Sequence, residues 1–146
     1  MEQLLAHLVG DYCLQSDWMA NKKTSSSWPA FVHAIVYTLP FLLLTQEHLA
    51  LWFICATHFA IDRWRLAKYV CYVKNFLAPR KTVTDVPPPP DMDGAQEIER
   101  WWYSWKECTA TGYHRDRPAW LAVWLLIITD NTMHLLCNYA ALRWWA

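Results

Sequence analysis

Glycine is nearly missing from this chain, at 3 of 146 residues. So little glycine argues against a turn-rich all-β fold, and no glycine-rich phosphate loop is present. The sequence also lacks a GxSxG elbow, an HExxH pair and a CxxC pair. Excess charge is absent too: 13 basic residues balance 13 acidic ones. Without a basic surplus there is no electrostatic footprint of a nucleic-acid binder, and no nucleic-acid partner is expected. The opening MEQLLAHLVGD carries an acid, a histidine and an aspartate where a signal peptide needs an apolar stretch, so none is expected. Five cysteines (Cys13, Cys55, Cys71, Cys108 and Cys137) lie mostly in apolar contexts. They read as small buried hydrophobes in a reducing compartment rather than as a disulfide set.

What the chain has instead is tryptophan, 11 residues of it, and a hydrophobic content of 55%. The apolar residues concentrate in 30–44, 48–61 and 118–141, while 71–117 is polar. The expected fold is all-α, a four-helix core over about 3–20, 29–44, 48–74 and 118–144, in a single domain. Pro40 is a candidate kink. The short TQEH connection brings helix 3 back antiparallel beside helix 2. Between helices 3 and 4 lies an insertion over about 75–117. Its four consecutive prolines, Pro87 to Pro90, make a polar arm. The stretch AQEIERWWYSWKEC, residues 95–108, is expected to form a short amphipathic helix bearing Trp101, Trp102 and Trp105.

Charge placement suggests the solvent. Lys22 and Lys23 follow helix 1, Arg63, Arg65, Lys68, Lys74, Arg80 and Lys81 follow the apolar part of helix 3, and Arg115 and Arg117 precede helix 4. The TQEH turn has no Lys or Arg. Four crossings would place every basic loop on one side, as the positive-inside rule requires. The expectation is a core embedded in a bacterial inner membrane, basic loops in the cytoplasm, with a lipid bilayer as partner. A soluble cytoplasmic bundle is the alternative, because only 118–141 reaches the roughly 20 apolar residues a bilayer needs. A homo-oligomer is compatible with either.

Three pairs of ionisable residues interrupt these apolar helices at one spacing: His7 with Asp11, His58 with Asp62, and Asp130 with His134. Residues four apart share a helical face. His33 adds an imidazole in helix 2, with Tyr37 four residues on. A single such pair is commonly a surface or capping feature. Three in separate apolar helices call for compensation, and imidazole with carboxylate is a natural ligand set. His7, Asp11, His33, His58, Asp62, Asp130 and His134 are therefore the candidate metal ligands. Ligands of this kind without thiolate suit Zn²⁺, with Mn²⁺ and Fe²⁺ as alternatives. Seven ligands exceed the needs of one ion, so a two-metal centre that hydrolyses phosphoesters is expected. Asp11, Asp62 and Asp130 are the candidate catalytic carboxylates. Gln15, Arg63, Lys68 and Asn131 are the candidate contacts to a small phosphate-bearing ligand.

HLVGDYCLQSDWMANKK, THFAIDRWRLAKY and LLIITDNTMHLL together resemble the domain-of-unknown-function 3307 family, small helical proteins of bacteria and phages. The matching pattern is His7, Asp11 and Gln15; His33; His58 and Asp62; and Asp130, Asn131 and His134. The likeness covers helices 1 to 4, and the insertion looks like an addition to it. The layout is also similar to that of the LexA-regulated inner-membrane metal-dependent hydrolases, which implies a membrane metallohydrolase. Phage occurrence implies the alternative, a non-enzymatic accessory protein that sequesters a nucleotide-like ligand or a host partner. A purely structural membrane component is the third reading.

Overall fold

The computed structural model describes residues 1–74, 81–86, 96–100 and 104–146. It divides into two compact units, Met1–Ala67 with Leu126–Ala146, and Lys68–Leu125. The first unit is helical throughout. It contains α1 (Glu2–Leu8), a π-helical turn (Val9–Cys13), α2 (Asp17–Lys22), α3 (Ser27–Thr38) and a 3-10 continuation of α3 (Leu39–Leu43). α4 (His48–Trp64) and the part of the long α6 (Ala119–Trp145) from Leu126 onward complete it.

Each of the four expected core helices is present, but three have breaks. Helix 1 is interrupted after the π turn, where Leu14 N–H donates to Val9 O at 3.0 Å. α2 then restarts behind Ser16, whose side chain accepts from the Met19 amide. Helix 2 tightens into the 3-10 segment where Pro40 withholds an amide from the α-ladder. Helix 3 stops at Trp64, because Arg65 takes a left-handed conformation (φ 52°, ψ 49°). It resumes as α5 (Leu66–Lys74), of which Lys68 onward belongs to the second unit.

The second unit departs further from expectation. The described residues of 95–108 form no amphipathic helix. Gln96–Arg100 is a strand, β2, paired antiparallel with β1 (Lys81–Val86), and Trp105–Glu107 is one 3-10 turn. Cross-strand pairing has overridden the helical preference of QEIER. The proline run Pro87 to Pro90, and Trp101 and Trp102, lie outside the described residues. Burial, with the Glu107 carboxylate beside it, pushes the Cys108 thiol up, away from nucleophilic use.

The polarity of the first unit is inverted. Its apolar core is small and alanine-rich: Ala6, Ala50 and Ala141 pack with Tyr37, Phe41 and Ile54. Small residues let the helices approach closely. Ala30, Ala34, Ile61 and Ala67 are buried beside them, and the remaining buried groups are polar, with His33 at 0% and Asp62 at 4% exposure. Large hydrophobes face outward, Leu43 at 89% and Trp52 at 74%. α6 is long and apolar enough to cross a membrane.

Candidate metal centre

Four chain segments bring one donor or more to the middle of the first unit. The π turn supplies Asp11, α3 supplies His33, α4 supplies His58 and Asp62, and α6 supplies Asp130 and His134. The donors fall into two groups that share one residue. Asp11, His33, His58 and Asp62, all buried, place one ligand atom each within 4.8 Å of the others. Asp62, Asp130 and His134 form a second group of the same compactness.

Distances within the first group are nearly uniform. His33 Nε2 lies 3.1 Å from Asp11 Oδ1 and 3.3 Å from Asp62 Oδ2. His58 Nε2 lies 3.5 Å and 3.1 Å from the same two atoms. The two Nε2 atoms are 3.0 Å apart. A tetrahedron with bonds of about 2.0–2.1 Å has edges of about 3.3–3.4 Å, so these five separations match its edges. Hydrogen bonding alone explains them poorly. Two neutral imidazoles bring at most one Nε2 hydrogen each to five contacts, and two N–H groups cannot face one another.

Asp62 connects the groups. Its Oδ2 belongs to the first, while Oδ1 lies 3.6 Å from His134 Nε2. His134 Nε2 is in turn 3.5 Å from Asp130 Oδ2 and has no hydrogen-bond partner. This second group offers only three donors, one fewer than the first. It adjoins a cavity of about 120 Å³ lined by Lys23, Thr24, Asp62, Arg65, Ile127 and Asp130, among others.

Aromatic packing fixes the imidazoles. His58 is sandwiched between Tyr37, at 3.5 Å between ring centroids, and His134, at 4.1 Å. Neither His33 Nδ1 nor His58 Nδ1 has a hydrogen-bond partner. Metal-bound imidazoles usually donate that N–H to a carboxylate or carbonyl. An ion in the first group would therefore lean on its two carboxylates.

His7 stands apart from both groups. Its Nδ1 accepts from the Tyr37 hydroxyl at 2.8 Å, and its Nε2 donates to Asn131 Oδ1 at 2.7 Å. Tyr37 accepts in turn from Asn138 Nδ2 at 2.6 Å. The chain Asn138, Tyr37, His7, Asn131 occupies both ring nitrogens of His7 and holds it beside the ligands rather than among them.

The other sequence candidates scatter. Asn131 serves His7, and its Nδ2 donates to Tyr12. Gln15 keeps a buried Oε1 without a partner just beyond the π turn. Arg63 donates to Ser27 Oγ at 3.0 Å and to the Thr24 carbonyl at 3.1 Å, so it ties the loop before α3. Lys68 belongs to the second unit, where its ammonium lies over the Tyr69 and Trp105 rings.

Three contributors went unselected from the sequence. Lys23 Nζ reaches 3.0 Å from Asp62 Oδ2 and 3.3 Å from His33 Nε2. Nothing in its loop context distinguishes it from Lys22. Tyr37 and Asn138 did carry a signal: each follows a site histidine by four residues, and Asp130, His134 and Asn138 recur along one face of α6.

No curated protein and no solved structure was found to match the chain. The family model described as DUF3307, a protein of unknown function, matches residues 1–84 and so includes Asp11, His33, His58 and Asp62. That span is more than half of the 146 residues. The chain is a member of the DUF3307 family.

Proposed function

We propose that the chain is a membrane-embedded, metal-dependent hydrolase that cleaves a phosphoester at this His/Asp centre. The observation that carries the reading is the spacing of Asp11, His33, His58 and Asp62, whose donor atoms stand 3.0–3.5 Å apart at five contacts. Those four residues would hold one divalent ion, Zn²⁺ before Mn²⁺ or Fe²⁺. Asp62, Asp130 and His134 would hold a second, with Asp62 bridging. Such ions supply Lewis acidity toward a phosphoryl oxygen and a lowered pKa for water. The chain's residues do the rest. Tyr37 and His134 clamp the His58 ring, Asp62 fixes the distance between the groups, and the cavity beside Asp130 admits substrate. The helices exclude water from the first group, which strengthens every charge interaction there.

Inverted polarity supports the bilayer. The 27 residues of α6 span about 40 Å at 1.5 Å per residue, against about 30 Å of hydrocarbon. The 17 residues of α4 span only about 25 Å, the short limit for a crossing helix. Lys22, Lys23, Arg63 and Arg65 gather at one end of the first unit, where Arg63 bonds the loop before α3. The opposite turn, Thr45 to Glu47, has no cation. The cationic end would face the cytoplasm. The likeness of the His/Asp layout to that of LexA-regulated inner-membrane metal-dependent hydrolases is in keeping with this chemistry.

The test is metal analysis of protein purified with and without detergent, joined to a phosphatase assay before and after chelation. Two ions per chain are expected in the wild type, one in Asp130→Asn and none in Asp62→Asn, with activity lost in both variants. A wild-type protein without stoichiometric metal, and indifferent to chelation, refutes the hydrolase.

A further inference from the structure

Arg65 differs from Arg63 and Lys23, the other two cations around the candidate centre. Arg63 is committed to Thr24 and Ser27, and Lys23 to Asp62 and His33. The Arg65 guanidinium has no hydrogen bond or ion pair with any described residue, while its backbone amide bonds the carbonyls of Asp62 and Ile61. Yet Arg65 is among the residues that line the cavity beside Asp62 and Asp130. It is also the only non-glycine with positive φ among the described residues. Glycine would take that conformation at lower cost. A strained arginine kept where glycine fits better, beside a candidate reaction centre, points to a use for its side chain.

The charge of the cavity indicates what that use is. Without ions, the lining carboxylates Asp62 and Asp130 balance Lys23 and Arg65, and the Asp11 carboxylate of the adjoining donor group leaves the centre net negative. With two divalent ions in place, positive charge exceeds negative by three, and the free guanidinium faces a site that calls for an anion. A planar fork of donors matches the oxygens of a phosphoryl group. The mouth lies at the end of the unit that carries Trp28 and Trp64, at the start of α3 and the end of α4. Both indoles are more than half exposed. Exposed Trp beside Lys and Arg marks the headgroup level of a bilayer.

We propose that Arg65 binds the phosphoryl group of the substrate, which is a phosphomonoester presented at headgroup level. This inference rests on the metal-centre reading for the sign of the cavity's charge, but its test separates the two. Inorganic phosphate is titrated calorimetrically into the full chain in detergent, before and after loading with Zn²⁺. Wild type is compared with Arg65→Gly, which relieves the backbone, and with Arg65→Gln, which does not. Loss of a charged hydrogen-bond pair weakens phosphate about 10- to 100-fold. Arg65→Gly should show that loss with metal content unchanged and a melting temperature equal to or above wild type. A merely structural Arg65 predicts instead a lower melting temperature with phosphate affinity unchanged.

Competition then identifies the source of the phosphoryl group. Glycerol phosphate in solution and phosphatidic acid in lipid nanodiscs each compete with inorganic phosphate. Displacement by either supports the clamp and names a free or a lipid phosphomonoester; displacement by neither overturns it. Equal phosphate affinity in wild type and Arg65→Gly also overturns it, and leaves the metal centre standing if metal is bound. Arg65-dependent phosphate binding without stoichiometric metal keeps the clamp and removes the hydrolase.

Discussion

Gly10→Ala sets two effects of opposite sign against each other, and the structure decides between them. Gly10 lies in the π turn, where alanine's better helix propensity would stabilise by about 0.5–1 kcal/mol. A methyl group there would meet Tyr37, however, at 2.7 Å from Cδ2, 2.9 Å from the carbonyl oxygen and 3.1 Å from Cα. Two of those three atoms are backbone. The ring cannot swing away, since His58 stacks on it and His7 and Asn138 hold its hydroxyl. α3 must therefore retreat by roughly 0.5–1 Å, and overpacking of this kind costs about 1–3 kcal/mol. The net is destabilisation of about 0.5–2 kcal/mol, or a melting temperature lower by about 2–10 °C. The same retreat carries His33 away from Asp11, the neighbour of Gly10, and widens their 3.1 Å contact. Zn²⁺ affinity should therefore fall in a fully folded variant. The assays are a tryptophan-fluorescence melt in detergent and a Zn²⁺ titration against a competing chelator. A melting temperature at or above wild type would mean that propensity outweighs packing, and would refute the reasoning.

Tyr37→Phe keeps the stack on His58 but strands Asn138 Nδ2 and His7 Nδ1 in a buried site. At about 1–3 kcal/mol for each of the two unsatisfied groups, a loss of roughly 2–6 kcal/mol is expected in denaturant titration, with metal content unchanged. Gly112→Ala tests the second unit, because Gly112 has φ +82° and its Cβ would fall 2.0 Å from the Lys68 carbonyl oxygen. A loss of about 3 kcal/mol or more is expected, read as proteolysis of residues 68–125 at temperatures where wild type resists.

Helix identity was legible because apolar runs and i,i+4 pairs report local periodicity, and His58 with Asp62 meets its partners as that spacing implies. The breaks were less so. Arg65 ends α4 in a left-handed turn with neither glycine nor proline to announce it. His7 and Asp11 have ligand spacing, but the π turn follows His7, and the imidazole bonds Tyr37 and Asn131 while Asp11 meets His33 and His58. QEIER has the composition of a helix and became a strand, because pairing with Lys81–Val86 is non-local. Lys23 enters the site through tertiary folding, and no pattern around it carries that information.

Asp62 lends one oxygen to each donor group, and under the proposed metal reading that sharing would make ion uptake sequential. An ion on Oδ2 would withdraw electron density from Oδ1, so the first occupancy would weaken the second. The four-donor group would fill first and the three-donor group last. At limiting metal the population would collect as a singly loaded form rather than as a mixture of empty and full chains. Activity that needs both ions would then rise with metal only after a lag of one equivalent. The free divalent ion concentration would thereby set a threshold for the reaction.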